Sequence, residues 1–133
     1  MSIKTRVLSM IAAALTLLVG VAAVPATPAF AATYVTGSVS CVTGNAVEGV
    51  FVNANSGGGG WATMSAPGGT SSAVSWHYTL PNNGSYYLAV GCGGSPGSWA
   101  TTNYSNNYSG GSSGLICYDT TYEVPSYLWY RCA

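Results

Sequence analysis

Tyr86-Tyr87-Leu88-Ala89-Val90-Gly91-Cys92, entered from Pro81-Asn82-Asn83-Gly84-Ser85, is the stretch on which the fold turns. Tyr86, Leu88, Val90 and Cys92 fall on one face of an extended chain, and Tyr87, Ala89 and Gly91 on the other. A period of two is that of a strand packed on one side. The Asn83-Gly84 pair supplies the positive φ angles of a tight turn before it. The stretch reads as the central strand of a small all-β, antiparallel β-sandwich, with Cys92 tying it to a second strand.

Other segments repeat the pattern. Val35, Gly37, Val39 and Cys41 share one face of residues 34–42, so two inward rows each end in a cysteine. Val50, Val52 and Ala54 point inward and Phe51 and Asn53 outward. Val74, Trp76, Tyr78 and Leu80 make a further inward row, which places Trp76 in the core and His77 toward solvent. Trp61 to Ser65 and Ser98 to Thr102 read as short strands. The spans 56–60, 91–97 and 103–114 read as loops rich in Gly, Ser and Asn. Leu115 to Tyr118 and Tyr122 to Cys132 read as a closing hairpin, with Pro125 confining its second strand to an edge. No segment keeps apolar residues at three- and four-residue spacing, so about seven or eight short strands and no helix are expected.

The chain also carries an address. Lys4 and Arg6, the apolar run Val7 to Val24 and the Ala29-Phe30-Ala31 site have the layout of a bacterial-type secretory signal over residues 1–31. Residues 32–133 then form a single domain, secreted and extracellular, with no membrane attachment after cleavage. In this part Arg131 stands against Glu48, Asp119 and Glu123, a formal charge of −2. So little basic charge gives a nucleic acid or an anionic membrane no electrostatic purchase. All four cysteines lie here. In an oxidising compartment they form two disulfides with three possible connectivities. The two inward rows favour Cys41–Cys92, which leaves Cys117–Cys132. No C-x-x-C occurs and the sole histidine has no ligand at metal spacing, so neither a metal nor a cofactor is expected.

Val35-x-Gly37-x-Val39, Gly44-Asn45-Ala46-Val47-Glu48-Gly49-Val50-Phe51-Val52 and Leu80-Pro81-x-x-Gly84-x-Tyr86-x-Leu88-x-Val90 together resemble carboxypeptidase-regulatory-like and Cna-B-like domains. Those are transthyretin-type, or prealbumin-like, β-sandwiches. The resemblance spans residues 34–92 and implies such a sandwich serving as a stalk or accessory module. Gly57 to Met64 stands where the family often has Thr-x-Asp-x-x-Gly. The isopeptide crosslink of some Cna-B-like domains needs a lysine, and residues 32–133 contain none, so disulfides take over its stapling role. Cys41 and the segment Gly91 to Trp99 are also similar to parts of small secreted proteins of actinobacterial type.

The inventory for catalysis is thin. Gly93 to Gly97 and Gly110 to Gly114 match G-x-S-x-G, but a nucleophile elbow needs a strand running into a helix. His77 is the only candidate base, and Glu48, Asp119 and Glu123 the only carboxylates for paired acid–base work. A small hydrolase is the remote reading; a non-catalytic module with a structural or adhesive role is the leading one. Aromatic residues are abundant, with four Trp and ten Tyr, more than so small a core can hide. Flat rings stack on the C–H faces of sugars while uncharged Asn, Ser and Thr bond the hydroxyls. A carbohydrate-binding module is therefore the alternative, its partner a polysaccharide or cell-envelope surface. Trp61, Trp99, Tyr104, Tyr108 and Trp129, in or beside glycine-rich loops, are the expected contact residues. The low charge also suits self-association.

Overall fold

A computed structural model describes residues 31–133, so the secretory leader expected over 1–31 lies, apart from Ala31, outside the described residues. Nine strands follow in order: β1 (Thr33–Cys41), β2 (Val47–Ala54), β3 (Gly60–Trp61), β4 (Thr63–Met64), β5 (Ala73–Leu80), β6 (Tyr86–Ser95), β7 (Ser98–Ser105), β8 (Ser112–Cys117) and β9 (Arg131–Cys132). The one helical turn among the described residues is a 3-10 turn at Ser126–Leu128. The all-β expectation holds.

Alternation builds the core as expected. Tyr86, Leu88, Val90 and Cys92 are fully buried on β6, and Val50 and Val52 of β2 lie directly opposite Val90 and Leu88. On β5, Val74, Trp76 and Leu80 are buried while Ser75, His77 and Thr79 face out. The Trp76 and Tyr86 rings meet edge to face at 5.9 Å in the middle of this core. Each aliphatic side chain buried there contributes about 1.5–3 kcal/mol.

The strands form one sheet in the order β3-β2-β6-β7-β9-β8-β1-β5-β4. Its two outermost strands, β3 and β4, are separated in sequence by Ala62 alone, so the sheet nearly closes on itself. It is folded so that β2 meets β5 and β1 across the core. Cys41–Cys92 joins β1 to β6 and Cys117–Cys132 joins β8 to β9, the pairing that the inward rows favoured. Two closed disulfides are the chemistry of an oxidising environment. No helix of the described residues is long and apolar enough to cross a membrane.

Most ladders are antiparallel, but β1–β8 and β7–β9 are parallel. Parallel neighbours need long connections, and here most of the chain separates one pair and residues 106–130 the other.

Three expectations are corrected. The loop expected over 103–114 shrinks to 106–111, because β7 continues through Ser105 and β8 starts at Ser112. Asn103 is fully buried, its amide donating to Val90 O and Thr101 Oγ1, and Ser105 Oγ accepts from the Leu88 N–H. Polar side chains tolerate burial when bonded in this way, although Asn103 Oδ1 itself has no partner. The loop expected over 91–97 is mostly strand: β6 runs to Ser95 and turns through Pro96-Gly97 into β7. The long strand expected from Tyr122 to Cys132 is reduced to Arg131–Cys132. Glu123 and Tyr130 adopt φ angles of 54° and 56°, incompatible with an extended chain, and Pro125 leads into the 3-10 turn.

Candidate functional site

The outward residues of β3, β2, β6, β7 and β9 bring two of the exposed rings, Trp61 and Tyr104, onto one face with Phe51, Tyr87 and Trp99. Register places Trp61 opposite Phe51, Phe51 opposite Ala89, Ala89 opposite Tyr104, and Tyr104 opposite Arg131. These five residues form one continuous row across five strands. Four inter-strand spacings of about 4.8 Å make it about 19 Å long. Tyr87 flanks the row, its ring 6.4 Å from that of Tyr104.

At one end of this row two tryptophans make a corner. A methyl group at Gly91 would overlap Cγ, Cδ2 and Cε2 of Trp99, and one at Gly49 would sit 2.8 Å from Trp99 Cζ2. The two glycines therefore let the Trp99 indole lie flat across β6 and β2. Trp61 stands against it, with ring centres 5.6 Å apart and planes at 84°. Phe51 in turn meets Trp61 edge to face at 5.1 Å. Trp99 is a floor, Trp61 a wall and Phe51 a buttress behind the wall. The groove they shape, completed by Pro96, Gly97 and Thr102, holds about 360 Å³, within the range of about 300–1,000 Å³ usual for small-molecule sites. Trp61 is 62% exposed and Tyr104 47% exposed, so ring surface remains for a ligand.

Of the five ring residues expected to make contact, Trp61, Trp99 and Tyr104 are brought together on this face. Tyr108 is half-buried: its backbone exchanges two hydrogen bonds with Tyr86, and its ring packs 6.3 Å from the Tyr86 ring. Trp129 lies in the 118–130 loop, its indole N–H donating to Val124 O at 2.8 Å. Phe51, Tyr87 and Thr102 belong to the face but were not among the expected contacts. The alternation of β2 and β6 already marked Phe51 and Tyr87 as outward; only strand register shows that they adjoin Trp61 and Tyr104.

The groups capable of acid–base chemistry are engaged elsewhere or set apart. Asp119 is buried and accepts hydrogen bonds from Thr43 N, Thr43 Oγ1 and Asn45 Nδ2. Glu48 bulges from β2 under the 67–70 turn, its carboxylate against Gly69 and one oxygen without a partner. Glu123 is exposed in the last loop. His77 lies on β5, exposed beside the Tyr34 ring. It borders a shallow groove of about 430 Å³ lined by hydroxyls and by no carboxylate. Of the G-x-S-x-G serines, Ser95 ends β6 at its hairpin, and Ser112 is buried with its hydroxyl 3.2 Å from Tyr86 Oη. Cys41, Cys92 and Asp119 cluster within 4.8 Å, but both sulfurs are spent in a disulfide and offer no thiolate to a metal.

No protein-family model matches this chain, and no curated protein or solved structure is significantly similar to it.

Proposed function

We propose that residues 32–133 form a secreted, non-catalytic module, prealbumin-like in character, whose adhesive contact is polysaccharide of a cell envelope or extracellular matrix. The observation that carries this reading is the Trp99–Trp61 corner. A flat indole stacks on the C–H face of a pyranose ring, and an upright indole beside it restricts how that ring can slide. Thr102, which lines the groove, and Tyr104, farther along the row, would supply hydroxyls to the sugar. The signal-like leader and the two disulfides support an extracellular setting. The non-catalytic reading is supported by the dispersal of Glu48, Asp119 and His77 over separate places.

The test is retention of the processed protein on insoluble chitin, cellulose and peptidoglycan. Trp99→Ala and Trp61→Ala are expected each to lose about 2 kcal/mol of binding, about thirtyfold in affinity, with unchanged circular dichroism. Retention on none of the three would sink the polysaccharide reading. A passive coat or spacer would then stand, and light scattering would report it as concentration-dependent assembly. Hydrolysis of any of these polymers that vanished in His77→Ala would overturn the non-catalytic reading.

A further inference from the structure

The ring row does not end in a ring. Its last member is Arg131, paired with Tyr104 across the β7–β9 ladder and pointing to the same side, since its neighbour Cys132 is buried. Arg131 is the only Lys or Arg beyond residue 6. A chain that builds its whole exported surface with one basic side chain has set that charge at the end of its aromatic face. One N–H, on Nη2, donates to Asn106 Oδ1 at 2.8 Å. The guanidinium has five N–H donors in a planar fork, so its remaining donors can take both oxygens of a carboxylate. Two of the three acids of this part of the chain, Glu48 and Asp119, are buried.

We propose that Arg131 makes the face selective for glycans that carry carboxylates: an elongated sugar chain stacks on the Trp99–Trp61 corner, passes Tyr104 and ends its contact in an ion pair with Arg131. This rests on the polysaccharide reading above and adds a substrate class to it. An exposed charge pair is worth only a modest preference, about two- to fivefold in affinity. The rings therefore give adhesion and the arginine gives selection.

The experiment compares retention on cellulose and chitin with retention on the same two polymers oxidised at C6 to the carboxylate. The oxidised forms are expected to hold the wild-type protein about two- to fivefold more tightly. That preference is expected to vanish in about 1 M salt, where the Debye length falls to about 3 Å, and in Arg131→Gln. It should survive in Arg131→Lys, which keeps the charge and controls for folding. Equal retention of the wild type on neutral and oxidised polymers would overturn the selectivity and leave the aromatic contact standing. So would a preference that persists in Arg131→Gln. Retention on none of the four would overturn both proposals together.

Discussion

Tyr86 shows how one residue can be both packing and polar anchor. Its ring is fully buried against Trp76, and its hydroxyl donates to Gly110 O while lying 3.2 Å from Ser112 Oγ. Burial raises the phenol's pKa above its ordinary value near 10; the hydrogen bond with Ser112 pulls the other way, and Tyr108 adds to the rise. The folded chain thus keeps a proton that the unfolded chain gives up. Its contribution to stability is complete below about pH 10 and is lost as pH climbs through the raised value. Tyr86→Phe is expected to cost about 1–2 kcal/mol at neutral pH and to flatten the alkaline limb of a stability–pH profile measured by urea unfolding. An alkaline limb as steep in the variant as in the wild type would assign it to other groups.

Among the elements, the turn between β1 and β2 depends on a residue far away in sequence. Asp119, just past β8, accepts from the Thr43 N–H, the Thr43 hydroxyl and the Asn45 amide, tying the start and end of the domain together. Asp119→Ala is expected to cost about 2–3 kcal/mol, since hydrogen bonds to a charged group are worth about 1.5–3 kcal/mol each and the partners at this turn can rebond to water. Thermal unfolding monitored by circular dichroism measures it. Such long-range ties explain what could be read from the chain and what could not. The inward rows of β1, β2, β5 and β6 were legible from a two-residue period, sharpest in β1 and β5, where apolar and polar residues alternate. Asn103 and Tyr108 looked like loop because they lie among Asn, Ser and Gly, which favour turns in isolation. Their burial follows from bonds to Val90 and Tyr86, partners on another strand. The brevity of β9 follows from left-handed backbone at Glu123 and Tyr130, and neither residue type announces it. Of the candidate site, the wealth of rings was visible from composition. The corner was not, because it needs Trp99 of one strand laid over glycines of two others.

For the whole molecule, the two bridges close loops of very different length, with sequence separations of 51 and 15 residues. Chain entropy alone assigns about 4 kcal/mol to Cys41–Cys92 and about 3 kcal/mol to Cys117–Cys132. Replacing both cysteines of each pair by serine is expected to rank the bridges in that order by denaturant midpoint. The reverse ranking would mean that holding β9 between β7 and β8 matters more than fastening β1 to β6.

Trp61 sits on the segment that nearly closes the sheet. β3 is bonded to β2, β4 is bonded to β5, and Cys41–Cys92 fastens the strands next to those two. If a sugar chain is held at that indole as proposed, a pull on it would be divided at once between two flanks that are themselves riveted covalently behind. No single hairpin would bear the load alone.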